Sequence, residues 1–246
     1  MKTQIVAVIL AAFTGMVANG QAITNFQLIE PLFPAYSGAG AVPDTGTYWN
    51  TVEINSADTS SISFTMPGSV FSSDGATSSS ITINSFTPSA TTGNVNVFTG
   101  GESSFPLVRR DLLTTGDGQI TMVIGGLTSN GEYDLYLISQ NAEFHSAVTD
   151  FTIGATTQTV NNQTTTQPPF AFVPGGTYAA FSSVLADGSG TISVTYNRSL
   201  TDLGAEGAFN AFQIVAVPEP GASALLVSGM LGALVLKRRI RRTVAA

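Results

Sequence analysis

Short runs in which apolar and polar residues alternate follow one another along most of the chain, and they restrict its fold more than any other feature. Residues 61–66 place their apolar side chains on one side, and residues 191–196 show the same two-residue period. This period predicts half-buried antiparallel strands. Residues 133–138 are mostly apolar or aromatic on both sides, which predicts a central strand covered on both faces. Further strands are predicted at 81–86, 94–98, 120–124, 148–153, 178–185 and 209–216.

Turn-forming residues separate these runs. Asn130-Gly131, between the runs at 120–127 and 132–138, predicts a β-hairpin. Residues 156–169 are rich in Ser, Thr, Gln and Pro and are interpreted as a long surface loop, whereas 107–113 suggests a helical turn. About nine to twelve short strands without a fixed repeat predict an all-β fold, a single antiparallel, jelly-roll-like β-sandwich.

Charge is scarce and unevenly distributed along the chain. Only 10% of the residues are charged, and the absence of Cys excludes a disulfide scaffold and thiolate chemistry. Between residues 23 and 217, fifteen carboxylates oppose three basic residues, a net charge of −12. Such a body repels phosphate backbones, so we expect no nucleic-acid partner.

The N-terminus has the three parts of a secretory signal peptide. Lys2 is followed by an apolar run at 5–13 and by the small-residue ending Gly20-Gln21-Ala22. The run is short for a membrane span, which favours a cleaved signal helix at 1–22 over an anchor. We expect cleavage after Ala22, with Ala18 as the alternative, and a single β-sandwich domain at 23–217.

The C-terminal residues 218–246 form a second segment distinct from the body. Two prolines are followed by an uncharged, mainly apolar stretch at 221–236, which as a helix is roughly 25 Å long and just able to span a bilayer. A basic tail at 237–242 favours the cytoplasmic side and places the body on the other side of the membrane. Its charged residues are Lys237, Arg238, Arg239, Arg241 and Arg242.

The order of these parts resembles the PEP-CTERM sorting signal of Gram-negative bacteria. The resemblance assigns the recognition motif to Pro218, Glu219 and Pro220, a transient transmembrane helix to 221–236 and the membrane stop to the basic tail. It implies an exosortase-type membrane peptidase as partner, transient insertion into the inner membrane, and export to the cell surface or extracellular matrix. An ordinary C-terminal anchor is the alternative.

The body also resembles those of many PEP-CTERM exoproteins, which are similar to galactose-binding or malectin-like β-sandwiches. The residues that carry this resemblance are Tyr48-Trp49-Asn50, Arg110-Asp111-Leu112-Leu113, Gly126-Leu127, 133–137 and 209–214. The fold hosts many functions, so the resemblance implies an architecture more than an activity.

The residues of known catalytic sites are mostly missing. His145 is the sole imidazole, and neither a serine-nucleophile elbow nor a zinc ligand set accompanies it. Glu132 and Asp134 share one side of a strand, roughly 6.5–7 Å apart, which fits a glycosidase pair nominally. A turn residue followed by a solvent-facing residue is the favoured interpretation. We therefore predict no enzyme, no catalytic residue and no cofactor.

A structural calcium ion is an alternative for a sandwich outside the cell, because loop carboxylates are typical calcium ligands. The aspartates in question form no dense Asp-x-Asp string, so no metal site is predicted from them. They are Asp44, Asp58, Asp74, Asp117 and Asp187.

Tyr48, Trp49 and Asn50 are candidate glycan-binding residues, since sugars stack on exposed aromatic rings beside amides. As the single Trp, Trp49 is favoured to fill the core instead. Ice binding requires a flat threonine array, whereas the side chains of residues 164–166 alternate in direction and no repeat supplies a ladder.

Two function classes remain. The favoured one is a non-catalytic exported surface or matrix protein in contact with extracellular polysaccharide. The alternative is a carbohydrate-binding module, with a hydrolase in third place.

Overall fold

The computed structural model describes residues 22–29, 36–42, 46–57, 60–89, 95–99, 110–114, 118–139, 148–161, 172–201 and 206–218. These residues contain strands and no helix. The strands are β1 (Ile23–Ile29), β2 (Asn50–Ala57), β3 (Ile62–Thr65), β4 (Thr82–Ser89), β5 (Val95–Thr99), β6 (Arg110–Thr114), β7 (Gln119–Gly125), β8 (Glu132–Ile138), β9 (Val148–Ile153), β10 (Thr156–Asn161), β11 (Tyr178–Leu185), β12 (Ile192–Arg198), β13 (Gly207–Phe209) and β14 (Ala211–Ala216).

Two large sheets pack face to face, which confirms the predicted all-β sandwich. The six-stranded sheet has the order β11-β8-β14-β1-β2-β3, and the five-stranded sheet has the order β10-β9-β12-β7-β4. A small third sheet, β13-β6-β5, adjoins them. The prediction of wholly antiparallel pairing was wrong, because β1 and β2 are parallel, with Phe26 opposite Asn50. Parallel neighbours need a long connection, and the chain between Ile29 and Asn50 has enough residues for one.

The core lies between the two large sheets, and its residues are the apolar members of strands in which apolar and polar side chains alternate. In β7, Ile120, Met122 and Ile124 are fully buried, whereas the intervening side chains are half-exposed. Phe26 and Phe212 stack across the β1–β14 pair with ring centroids 4.8 Å apart. An aromatic group fills the space between the sheets near their β9 and β12 side. It comprises Phe151, Tyr196 and Phe209.

Strand β8 is central, as predicted. It pairs with β11 on one side and β14 on the other. Its core side is buried through Leu135 and Leu137, and Asp134 and Tyr136 on the other side are half-buried.

The predicted hairpin at Asn130-Gly131 was wrong. The turn exists, since Gly131 N–H donates to Thr128 C=O (2.9 Å) and Asn130 has a φ of +57°. However, β7 and β8 belong to different sheets, so the turn lies in a crossover that spans the core. The crossover is held by the loop after β11, where Asn130 N–H donates to Asp187 C=O (3.3 Å). An Asn-Gly turn reverses the chain locally but does not choose the pairing partner.

Two further expectations were wrong. The predicted loop begins with a strand, β10, which pairs along its whole length with β9. Its sequence has only one buried apolar residue, Val160, so no period is visible. The expected helical turn overlaps β6, which pairs with β5 and β13.

The two ends of the body lie side by side. Ile23 of β1 is opposite Val215 of β14, and Ala216 N–H donates to Ala22 C=O (3.1 Å). Val217 N–H then donates to Glu132 C=O (2.9 Å), and the following Pro218 is exposed. The expected signal and transmembrane helices lie outside the described residues, within which no helix is long and apolar enough to span a bilayer.

Candidate functional site: the segment over the six-stranded sheet

Two of the three predicted glycan-binding residues, Tyr48 and Trp49, belong to a segment that crosses the outer face of the six-stranded sheet, and the third, Asn50, begins β2. This covering segment consists of residues 36–42 and 46–49. It is fixed by amide side chains that project from β1 and β14 and have no solvent exposure. These are Asn25, Gln27 and Gln213.

Gln213 joins the covering segment to β1. Its Oε1 accepts the Val42 N–H (3.0 Å), and its Nε2 donates to Asn25 Oδ1 (2.8 Å). Asn25 Nδ2 in turn donates to Tyr48 C=O (3.0 Å). A primary amide offers donors and acceptors together, so it can bridge a strand and an irregular segment. Sequence reasoning missed these residues, although amides at alternate positions of an apolar strand are the signal.

Trp49 is buried, but outside the core between the sheets. It is 2% exposed and donates from Nε1 to Gly38 C=O (3.0 Å). Tyr36 contacts it edge-on with ring centroids 5.6 Å apart. The rest of its surroundings form a second cluster on the outer side of the sheet, so its ring faces protein rather than solvent. The other buried members are Ile138, Tyr178 and Ala211.

Asn50 is committed to the backbone. Its Nδ2 donates to Asn25 C=O (2.9 Å) and to Phe71 C=O (2.7 Å), and its Oδ1 accepts the Phe71 N–H (2.9 Å). The residue is 1% exposed. Asn50 therefore joins β1, β2 and the strand-like residue Phe71, and it presents no polar atom to a ligand.

Tyr48 is the exposed member of the predicted trio, at 39%. Its ring packs edge-on against Phe71 (5.7 Å) and lies over Gly75, where an added Cβ would be 3.2 Å from the ring. It borders an open depression of about 560 Å³, a size in the range of small-ligand sites. Other lining residues are Tyr36, Ser37, Thr47, Ser73 and Asp74.

Asp74 supplies the negative charge of this depression. Its carboxylate accepts hydrogen bonds from the Thr77 hydroxyl (2.6 Å), Thr77 N–H (2.9 Å) and Ala76 N–H (2.8 Å). These bonds hold the pKa of Asp74 below its usual value, so it is ionised at neutral pH. The Asp74 carboxylate therefore makes these hydrogen bonds within its own turn.

Asp187 has the same arrangement in the loop between β11 and β12. Hydroxyl and backbone donors of Thr191 and Ser189 lower its pKa to about 2. Among the residues that the structure describes, no three His, Asp or Glu side chains are grouped as a metal site. Three of the aspartates considered for calcium lie outside those residues, namely Asp44, Asp58 and Asp117.

The two carboxylates of β8, Glu132 and Asp134, have different surroundings. Asp134 Oδ1 accepts the Ser183 N–H (2.9 Å) at the bulge of β11, where Ser183 has a φ of +54°. Glu132 is exposed at the start of the strand. Asp134 thus stabilises the bulge. The other candidate catalytic residue, His145, lies outside the described residues.

Of the sorting residues, Pro218 is described and exposed. Glu219, Pro220 and the basic tail lie outside the described residues.

No protein-family model and no curated protein matches the chain. A plant receptor-like kinase, ANX2, aligns with a TM-score of 0.34 and 14% identity over 50% of this chain and 40% of its own. An arabinose-bound α-L-arabinofuranosidase, MgGH51, aligns with a TM-score of 0.27 and 10% identity over 82% of this chain and 31% of its own. The chain spans less than half the length of either structure. Similarity at this level carries no argument about function.

Proposed function

We propose that the chain is a non-catalytic protein that is exported and delivered to the cell surface or extracellular matrix through its C-terminal sorting tail. The observation that carries the proposal is the order of the three parts at 218–246: the proline-flanked glutamate, the apolar stretch and the basic cluster. An exosortase-type membrane peptidase is the proposed partner, and extracellular polysaccharide is the proposed surroundings.

The position where the tail leaves the body supports this proposal. Val217 makes a backbone bond to Glu132, and Pro218 is already exposed. Every described strand of the two large sheets ends at or before Ala216, so removal of the tail takes none of these strands from a sheet. Pro218 also restricts the preceding residue to extended backbone, which is the conformation that peptidases bind.

The architecture of the body is part of the proposal. We place it among jelly-roll-like, galactose-binding or malectin-like sandwiches, on the sequence resemblance given above and on the two-sheet fold. Because one fold can host many unrelated functions, this architecture assigns no activity to the body.

The test is intact-mass spectrometry of the protein from the surface fraction of a host that has an exosortase. We expect a mature mass that lacks both 1–22 and the basic tail. Glu219→Ala is expected to retain the tail and remain in the membrane fraction, whereas Glu53→Ala, a matched change on β2, is expected to be processed normally. A surface form that still contains residues 237–246 contradicts the proposal.

A carbohydrate-binding module is the second candidate, favoured by exposed Tyr48 at the rim of a hydroxyl-lined depression. Glycan-array binding that is lost in Tyr48→Ala and kept in Tyr48→Phe supports it, because the phenyl ring retains stacking. Trp49→Ala is unsuitable for this test, since the side chain is buried. Glycoside turnover lost in Glu132→Gln would instead indicate a hydrolase.

A further inference from the structure

Five threonines form one row across the outer face of the five-stranded sheet, with one residue on each strand. The pairing registers place them directly opposite one another from the first strand of the sheet to the last. All five are exposed or half-exposed. In sheet order this threonine row is Thr157, Thr152, Thr195, Thr121 and Thr87.

Two pairs of neighbouring hydroxyls in the threonine row are hydrogen-bonded to each other. The Oγ1 atoms of Thr121 and Thr195 are 3.1 Å apart, and those of Thr152 and Thr157 are 2.8 Å apart. A hydroxyl has one donor and two acceptor sites, so each pair uses one donor and keeps one donor and several acceptors for a ligand. The bonds also restrict the side-chain rotamers, which lowers the ordering cost of binding.

The rows on either side are also polar. Two residues along the strands, a second row again crosses all five strands, and a third row contains two serines and one valine. The second row is Thr159, Asp150, Asn197, Gln119 and Ser89, and the third is Ser193, Val123 and Ser85. Within these three rows, Asp150 is the one charged residue, and its carboxylate accepts the Thr159 hydroxyl.

The charges indicate which polymer such a face accepts. The body carries a net charge of −12, so an anionic polymer is repelled at long range. The three rows contain no cation to offset this repulsion. A neutral, hydroxyl-rich polymer has no such penalty and offers donors and acceptors that match the free sites of the threonine row.

We propose that the threonine row and its flanking rows are a docking surface for one chain of a neutral polysaccharide. The inference rests on the proposed function, because it supplies the contact between the body and the surrounding matrix. Four inter-strand spacings make the row roughly 19 Å long, which accommodates a short run of sugar rings. The threonine methyl groups between the hydroxyls contact the apolar faces of the rings.

The twist of the sheet favours a single chain over a crystalline plane. Adjacent strands rotate by about 20–25°, so the direction of the surface changes steadily across five strands. A flexible glycan chain follows this change, whereas a rigid plane such as ice contacts only part of the row. Ice binding is therefore an outcome that would overturn the proposal.

The test is affinity electrophoresis of the full-length chain, kept soluble with a non-ionic detergent, in native gels that contain a polysaccharide. The neutral probes are dextran, hydroxyethyl cellulose and galactomannan, and alginate is the anionic counterpart. The double variant Thr121→Val/Thr195→Val removes two hydroxyls and keeps the side-chain shape. Thr65→Val, an exposed threonine on β3, is the matched control.

We expect retardation by at least one neutral polymer, weakened about tenfold or more in the double variant and unchanged in Thr65→Val. Circular dichroism and urea unfolding of the double variant verify that its fold is intact. If the double variant does not fold, the single variant Thr195→Val is measured, with a smaller loss expected.

The proposal is overturned by no retardation by any neutral polymer, by equal retardation by alginate, by undiminished retardation of the folded variant, or by inhibition of ice growth that depends on the threonine row. Loss of binding in Tyr48→Ala alone assigns the site to the depression and also overturns it. None of these results depends on processing of the tail, so failure here and failure of the sorting proposal are distinguishable.

Discussion

The outer faces of the two large sheets both carry uncharged polar side chains, but these side chains have different roles on the two faces. On the six-stranded sheet, Asn25 and Gln213 are fully buried beneath the covering segment. On the five-stranded sheet, Thr121 and Thr195 stay half-exposed and bind each other across two strands. One face is closed by protein, and the other presents hydroxyls to the solvent.

The chemistry of the side chain explains the difference. A primary amide has two donors and an acceptor at the end of a flexible stem, so it can reach the backbone of a segment that crosses the sheet. A threonine hydroxyl lies next to Cβ and reaches only the neighbouring strand. The amides of Asn25 and Gln213 therefore hold a covered face, whereas the hydroxyls of Thr121 and Thr195 lie on an open one.

The largest expected effect is on the free energy of unfolding when one apolar side chain on each face is truncated to alanine. Trp49→Ala removes the side chain that packs the covering segment onto its sheet, and we expect it to lower the free energy of unfolding by about 3–5 kcal/mol. Val123→Ala, on the open face, is expected to cost about 1 kcal/mol or less because its side chain is half-exposed. Urea unfolding measures both, and equal costs would show that the two faces are packed alike.

A matched pair of polar-to-apolar changes sharpens the same comparison. Gln213→Leu leaves the Val42 N–H and Asn25 Oδ1 without their partner, and we expect a loss of roughly 1–3 kcal/mol. Thr195→Val leaves the Thr121 hydroxyl free to bind water, so the change should stay within about 0.5 kcal/mol. Both values come from urea unfolding at neutral pH. A larger cost for the threonine would contradict the distinction between the faces.

The smallest effect concerns Asp187, in the loop that joins the two sheets. Its pKa is lowered to about 2 by donors from Thr191 and Ser189. A lowered folded-state pKa contributes stability above the ordinary value near 4 and loses it as the pH falls towards 2. We expect Asp187→Asn to be less stable than the unmodified chain at pH 7, with a difference that narrows between pH 4 and pH 2. Urea midpoints measured from pH 8 to pH 2 test this, and a difference that is constant below pH 4 would exclude the proposed bonds as its source.

Several elements were predictable because their determinants are local. Residues 61–66 and 191–196 alternate with period two; the first range contains β3, and the second overlaps β12, which continues to Arg198. Strand β8 was recognisable as central because apolar and aromatic residues occupy both of its sides. Burial of one face is enough to specify such strands, whichever partner they find.

Other elements depend on contacts that are distant in sequence. The Asn130-Gly131 turn was visible, but its role as a crossover depends on the loop at Asp187. Strand β10 is defined by pairing with β9 rather than by its own pattern. The predicted glycan trio was adjacent in sequence, yet only Tyr48 is exposed, because the covering segment buries Trp49 and the backbone engages Asn50.

The sequence by itself determined the all-β class, the period of its main strands and the acidic charge of the body, because these follow from residue type and spacing. Only the tertiary structure decided which side chains meet. The members of the threonine row lie on five different strands that are far apart in the sequence, so no local sequence motif contains them. Strand register brings them into one line, since directly opposed residues of paired strands are neighbours on the same face of a sheet.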